Sequence, residues 1–408
     1  MKQYFIAALL LCGNLYAQNE ESGIEAILRQ IEQNNPQLQA NAQRVTAQQW
    51  ENRAENNLPD PTVSYSHVWD SRDASITEGE LIVSQSFDFP TLYVSRNRLN
   101  RMRNQTLDAQ ANQLRQEILL EAQLLCIDII SFHQQLQVAA ARMQSAEELA
   151  QIYQRRLEAG DAGILEANKL KLEQLNASTE QRRIRTELDV ALRQLWNLAG
   201  NQPLGAGRPM ADPVAPTAGA LNLTEFPTAV LPDDFRPLLQ SLLQAAPDLQ
   251  ALQSQEEASR RQQSVARQGW LPKLEVGYRR NTDSGHPLNG VVVGCSFPLF
   301  QNRGRSTQAK AQWQADRLES ESARLTTEST LWQLYEEART WQTIIREYET
   351  TLEQQQNLSL LKQALEGGQM NLTEYFVETA RLYESQSNLI RLQNDYHKAM
   401  ARLFKSLL

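Results

Sequence analysis

Helix breakers are scarce in this chain: 17 Gly and 15 Pro are spread over 408 residues. Beside abundant Gln, Leu, Ala, Glu and Arg, that scarcity weighs against two ordinary domains and for one elongated structure of long helices with supercoil-type patterns. Positive charge is also short. A net charge of -8 supplies no basic stripe able to release counterions from nucleic acid, so no nucleic-acid partner is implied. Cysteine is sparser still. Of the three, Cys12 lies near the start, and Cys126 and Cys295 are far apart in different expected elements. No disulfide framework follows, and both read as buried apolar thiols.

Histidine is limited to four residues, His67, His133, His286 and His397, each standing alone, and the six Met are equally dispersed. No Walker phosphate loop, no His pair at metal-ligand spacing and no nucleophile elbow is present. Those absences argue against an enzyme, a cofactor and a site built to hold a soft metal. Long hydrophobic runs are lacking beyond the first residues. The best stretch, Ile118 to Phe132, is interrupted by Glu121 and Asp128, whereas a spanning helix needs roughly 18 apolar residues. Entry into a membrane would therefore require a closed barrel, since lipid leaves open strand edges unsatisfied.

The start of the chain sets the compartment. Lys2 precedes an apolar run from Phe5 to Leu11, and Leu15-Tyr16-Ala17 ends in a small residue suited to cleavage. Residues 1–17 read as a secretory signal peptide, with the mature chain outside the cytoplasm. Lipid anchoring through Cys12 would want a small residue where Leu11 stands.

The rest of the chain says the same thing twice, at an offset of roughly 210 residues. Asn35-Pro36-Gln37-Leu38 opens a helix that ends near Leu58-Pro59, and Ala246-Pro247-Asp248-Leu249 opens one that ends near Leu271-Pro272. Val63-Ser64-Tyr65 is answered by Val276-Gly277-Tyr278, and Ser86-Phe87 by Ser296-Phe297. Later, Leu157-Glu158-Ala159-Gly160 is answered by Leu365-Glu366-Gly367-Gly368, and Leu195-Trp196 by Leu403-Phe404. Repeats over 18–200 and 238–408 follow, separated by a Pro-, Gly- and Ala-rich connector over 201–237.

Each repeat carries two segments that alternate with period two, the mark of a strand with one apolar face. In the first repeat the strands fall at about 62–69 and 80–89, with Val63, Tyr65 and Trp69, then Leu81, Val83 and Phe87, on the apolar face. In the second they fall at about 273–281 and 289–298, with Leu274, Val276 and Tyr278, then Val291, Val293 and Phe297, on that face. Runs of about ten residues suit a tilted strand crossing hydrocarbon, which makes these positions lipid-facing candidates. A soluble hairpin packed on helices is the competing reading.

Helices account for the remainder. Long ones are expected over about 91–159 and 303–366, each on the order of 90–100 Å at 1.5 Å rise per residue. Each stops at a Gly-containing turn and is answered by a return helix, at about 162–199 and 371–407. Ile118, Leu125 and Phe132 recur every seven residues, as do Leu318, Leu325 and Trp332, and Leu382, Leu389, Tyr396 and Leu403. Such stripes need neighbours. Four strands per chain also cannot close a barrel, for which about eight or more are required. Two copies would leave an interior filled by side chains, and three would give twelve strands and a wet lumen.

The duplicated plan, the Pro-Gln-Leu and Pro-Asp-Leu helix openings, Leu58-Pro59-Asp60-Pro61 before a strand and Ser296-Phe297-Pro298-Leu299-Phe300 after one resemble the TolC-like outer-membrane efflux family over essentially the whole mature chain. The Leu58 to Pro61 and Ser86 to Pro90 phrases are most similar to its heavy-metal branch, the CzcC and CusC type. The resemblance implies a mainly α fold with a membrane β-barrel portion. Three chains would form a twelve-stranded barrel in outer-membrane lipid, continued by a periplasmic α-helical barrel. It also implies a periplasmic adaptor and an inner-membrane pump of the proton-driven resistance-nodulation-division class as partners, with small solutes, metal ions or drugs, as cargo.

The same resemblance places the two helical turns at the periplasmic tip, where the tunnel narrows. Glu374 matches the position of a gate carboxylate there, and Glu166 is its counterpart six residues after Gly160; Val377 stands where a second gate acid could occur. Three copies would make a ring favouring cations, although acids also favour helix N-termini through the dipole. Gly160, Asp161, Ala162, Gly163 and Ile164, with Gly367, Gly368, Gln369, Met370, Asn371 and Thr373, are the expected adaptor contacts. Arg96, Arg98, Arg101, Arg103, Arg303 and Arg305 follow the strands and suit a membrane interface. Two other tasks remain open on the sequence: a duct for protein secretion beside an ATP-driven transporter, and a periplasmic coiled-coil adaptor or scaffold.

Overall fold

A computed structural model describes residues 23–69, 71, 77–160, 163–204, 221–228, 230–283, 286–354 and 358–408. The leader, Cys12, Asp161, Ala162 and much of the connector lie outside the described residues. The element order repeats. Helices α1 (Gly23–Asn34) and α2 (Pro36–Ala54) lead to strands β1 (Thr62–Trp69) and β2 (Thr77–Phe87), the long helix α3 (Pro90–Glu158) and the return helix α4 (Ile164–Leu198). Then α5 (Phe235–Ala245) and α6 (Pro247–Gln268) lead to β3 (Lys273–Asp283) and β4 (His286–Ser296), followed by α7 (Arg305–Gln354), α8 (Leu358–Glu366) and α9 (Leu372–Leu403). The protein is mainly α with one four-stranded antiparallel sheet in the order β1-β2-β3-β4. The long helix expected over about 303–366 is described as α7 and α8, with 355–357 between them outside the described residues.

Local chemistry explains the breaks. Between α1 and α2, Asn35 Oδ1 accepts from the N–H groups of Gln37 at 2.9 Å and Leu38 at 3.0 Å, and its Nδ2 donates to the Leu198 carbonyl at 2.8 Å. Pro36, lacking an N–H, takes the first helical position, where none is needed. The second repeat uses Ala246 at the same place and relies on Pro247 alone. Helix α4 ends on Gly200, whose φ of +66° permits the two-bond stop in which Asn201 N–H reaches Trp196 O at 3.1 Å and Gly200 N–H reaches Asn197 O at 3.0 Å.

The chain divides into two compact units, one of residues 1–39, 114–242 and 329–408, the other of 40–113 and 243–328. The first has a core of Ile24, Ile27, Ile31, Ile118, Ala122, Cys126, Ile129, Ile130, Leu188, Leu192 and Leu195, which also takes in Leu221 and Leu223. Helix α3 is apolar and long enough to cross a membrane by composition, but its stretch from Ile118 to Ile130 is used in this core. Burial pushes the Cys126 thiol up to about 12. In the same unit Phe226 stacks on His397 of α9, with ring centroids 4.8 Å apart and planes at 8°. Burial lowers the His397 imidazole to about 4.

A pH-dependent stability follows. The folded chain holds His397 neutral while the unfolded chain protonates it near pH 6.5, so its contribution is complete above pH 6.5. It is lost as pH falls from there toward 4, by at most about 3 kcal/mol. In melting curves at pH 7.5 and 4.5, His397→Phe, which keeps a ring on Phe226 but cannot titrate, should lose less stability than wild type. Equal losses would remove His397 from the pH response.

Candidate functional site

The sheet in the second unit has two unlike faces. Its register sets Val63 beside Val83, Tyr278 and Val291 in one row across all four strands, with Phe87, Leu274 and Cys295 in a parallel row and Val276 beside Val293 between them. Every strand position expected to be apolar therefore shares one face, Phe297 lying just past the end of β4. That face is uncovered: Val63 and Tyr65 are each 66% exposed, Val291 78% and Val293 79%. The opposite face carries Ser64, Ser66, Glu80, Ser84, Glu275 and Arg279, with Arg279 paired to Glu80 at 2.5 Å. Small residues line it, and at Gly277 a Cβ would come within 2.7 Å of the Val83 carbonyl oxygen. Strands β1 and β4 are each paired on one side only among the described residues.

Cys295 corrects one expectation. It is free and exposed rather than buried, because alternation along β4 puts it on the apolar face, which no helix covers among the described residues. The strand ends also move: β2 begins at Thr77, not at about 80, because Trp69 and His67 pair with Thr77 and Gly79, and it ends at Phe87. Asp88 then leaves the sheet to accept from Arg96 at 2.7 Å and to face Lys273 at 3.8 Å, tying β2 and β3 to the start of α3. Of the expected interfacial arginines, Arg96 is held this way and Arg103 pairs with Glu55 at 2.7 Å, while Arg98, Arg101, Arg303 and Arg305 are exposed.

In the first unit, both turns that reverse the long helices are built on glycine. Gly160 has φ +82° and Gly368 φ +71°, the left-handed region that disfavours a side chain by roughly 1–2 kcal/mol. Nothing lies within 4 Å of a Cβ at either place, so backbone angle and not space selects Gly. After α8, Gln369 N–H donates to Ala364 O at 2.9 Å and Gly368 N–H to Leu365 O at 3.2 Å, the same stop as at Gly200.

The two acids lie in the first turns of the return helices. Glu374 accepts from Asn371 N–H at 3.1 Å while its own N–H donates to Asn371 Oδ1 at 2.9 Å, a reciprocal capping box. Glu166 accepts from Gly163 N–H at 3.1 Å, and Gly163 has no side chain to return the bond. Both carboxylates thus cap their own helices, Glu374 from an exposed position and Glu166 from a half-buried one. Val377 is exposed one turn beyond Glu374. Ile164 is exposed as well, as are Gly163, Gly367, Gln369, Asn371 and Thr373, and Met370 is partly covered.

The turns are joined by contacts that sequence reasoning missed. Leu149 and Tyr153 of α3, Leu170 of α4, Leu365 of α8 and Leu372 and Tyr375 of α9 form one apolar cluster. Lys169 Nζ donates to Thr373 Oγ1 at 2.8 Å. Lys362 reaches Glu148 at 2.9 Å, a hydrogen bond that holds the Glu148 carboxyl below its usual range. Partners some two hundred residues apart leave no periodic signal. Among the described residues, no group of three or more His, Cys, Asp or Glu could hold a metal ion.

Residues 238–407 match the family model of outer membrane efflux proteins. A comparison with curated proteins found no match. Solved structures resemble nearly the whole chain. The outer membrane protein VceC of Vibrio cholerae is 15% identical, with 94% of this chain and 95% of VceC covered at a TM-score of 0.73. The open-state MtrE outer membrane channel of Neisseria gonorrhoeae is 14% identical, with 95% and 89% covered at 0.75. CusC, described in connection with transmembrane channel formation, is 15% identical, with 96% and 95% covered at 0.74. These likenesses show the fold, that of TolC-like channels, and CusC and VceC share the same identity to this chain.

Proposed function

We propose that the chain is one subunit of a homotrimeric outer-membrane efflux duct, a passive conduit whose helical portion lies in the periplasm. The uncovered apolar face of the sheet carries this reading. A face with valines more than three-quarters exposed exceeds what a soluble monomer leaves to water, and lipid is the solvent that suits it. Edge strands in lipid must be paired, because each unsatisfied backbone group there costs several kcal/mol. β1 and β4 of neighbouring copies supply that pairing, and three copies give twelve strands around a lumen lined by the polar face. On α7, Leu318 and Leu325 of the seven-residue stripe are 66% and 64% exposed, which a neighbouring copy would cover.

The rest of the reading is finer. The paired turns are the docking place of a periplasmic adaptor, and an inner-membrane pump of the resistance-nodulation-division class supplies the cargo, metal ions or other small solutes. No catalytic step belongs to this chain. Co-purification of the neighbouring transporter separates solute efflux from protein secretion.

Cys295 offers a direct test, since Cys126 is buried. A spin label on Cys295 of the purified protein, reconstituted in vesicles, should be relaxed by oxygen and shielded from a water-soluble nickel chelate. A label on the neighbouring face, in Ser296→Cys made with Cys295→Ser, should show the reverse. Light scattering in detergent should give three copies. Chelate reaching Cys295 as freely as position 296, or a monomer in detergent, would overturn the duct.

A further inference from the structure

The apolar face ends abruptly toward the two hairpins. After the row Val63, Val83, Tyr278 and Val291 comes Tyr65, Leu81, Arg280 and Asn289, and beyond that His67, Gly79, Thr282 and Pro287. Arg280 stands six residues from Leu274, about 20 Å along the strand. By alternation Glu78, Glu80 and Glu275 all stand on the opposite face. Arg280 is thus the one fixed charge that the described strands place on the apolar face. Its neighbour Arg279 is paired with Glu80; Arg280 is exposed and, among the described residues, has no carboxylate partner.

Polar groups gather around it at this level. Tyr278 donates its hydroxyl to Asn289 Oδ1 at 2.6 Å, which leaves the Asn289 amide nitrogen as a donor. Thr282 donates to the Gly79 carbonyl at 3.0 Å. Gly79 makes the room: a Cβ there would meet Thr282 Oγ1 at 2.6 Å and the Tyr65 hydroxyl at 3.1 Å. Alongside, Tyr65, His67 and Trp69 form a ladder of rings with centroids 6.5 and 6.0 Å apart. The result is a shallow polar rim, with Arg280, the Asn289 amide and the Tyr65 hydroxyl as donors, directly above an apolar wall.

We propose that this rim binds the phosphorylated headgroup of a membrane lipid in the leaflet on the hairpin side. The phosphate sits on Arg280 and Asn289, and the acyl chains lie along Val63, Val83 and Val291. The inference rests on the duct reading, because it needs this face in lipid. An unpaired guanidinium on a lipid face is tolerated at interfacial depth, where two oxygens of a tetrahedral phosphate can accept from its planar fork. The ring ladder and hydroxyls suit a sugar-bearing headgroup, and a glycerophospholipid presents the same phosphate.

Binding to the purified mature trimer in detergent separates these sources. The probes are a diphosphorylated glucosamine-disaccharide lipid, its dephosphorylated form, phosphatidylglycerol and inorganic phosphate. Phosphorylated lipid should bind, with affinity lowered about tenfold by Arg280→Gln, only partly restored by Arg280→Lys, which keeps the charge but not the fork, and unmoved by Arg279→Gln. Preference for either phosphorylated lipid supports the site and names its source. Equal binding of the dephosphorylated lipid, no loss in Arg280→Gln, or inorganic phosphate binding as tightly as lipid overturns it. The Cys295 label keeps the two readings apart. A lipid-exposed label beside an unaffected Arg280→Gln removes the rim site alone, and a water-exposed label removes the duct as well.

Discussion

Val276→Arg should leave almost no assembled protein in the outer membrane. Val276 lies on an inner strand of the sheet between Gln85 and Val293, half-exposed on the apolar face and midway between the row of Leu274 and the row of Tyr278. A cation at mid-depth on a lipid face costs about 2–4 kcal/mol, and a trimer repeats that cost three times. The unfolded chain in water has no such penalty, so the loss falls on the inserted state. Ser64→Arg, on the polar face in the row of Ile82 and Arg279, should assemble normally because the proposed duct turns that side to water. Membrane fractionation with unheated gel electrophoresis reads both variants. Equal yields of the two would show that the apolar face is not in lipid.

Glu374→Gln should lower the preference for cations about tenfold while leaving the fold intact. The substitution separates two roles. As the third residue of its helix, Glu374 closes a capping box with Asn371, and Gln satisfies the same geometry. Only the charge is lost. In the proposed trimer, three copies of this carboxylate around a narrow passage would attract cations by Coulomb interaction, more strongly where the lumen excludes bulk water. Glu166→Gln should change selectivity less, since that carboxylate is half-buried and bonded to Gly163. Reversal potentials in planar bilayers under a salt gradient measure both. Unchanged selectivity in Glu374→Gln would leave Glu374 as a helix cap only. Glu374→Ala should then cost about 1 kcal/mol of local stability through the lost cap and little else.

Several features were legible because they are local. The alternation of Leu274, Val276 and Tyr278 needs only a six-residue window to declare a strand with one apolar face. The long helices are visible in the absence of breakers from Thr91 to Ala159, and their ends in Gly160 and Gly368. Position on the face followed from parity alone, which is why the strand candidates of both repeats share one side of the sheet. Other features were not legible. Cys295 looked like a buried thiol because an apolar neighbourhood in sequence does not say whether another element covers it. Helix α1 is too short, at 12 residues, to carry a sustained periodic stripe, although Ile24, Ile27 and Ile31 are spaced at helical intervals. Arg280 shares the apolar face by the same parity, but which side chains surround it depends on the register with β2 and β4.

The amino-acid sequence by itself determined the repeated order of elements, the helix stops at glycine and the two-faced character of each strand, because backbone periodicity and left-handed turn angles are set within a few residues. The tertiary structure alone decided that β2 of the first repeat pairs with β3 of the second, from Phe87 beside Leu274 to Glu78 beside Asp283. It alone decided that Lys169 meets Thr373 and that Arg280 has no carboxylate partner among the described residues. Such choices depend on which distant surfaces meet, and a hydrogen-bond ladder between segments about 190 residues apart is selected by the summed fit of both faces rather than by any residue read alone.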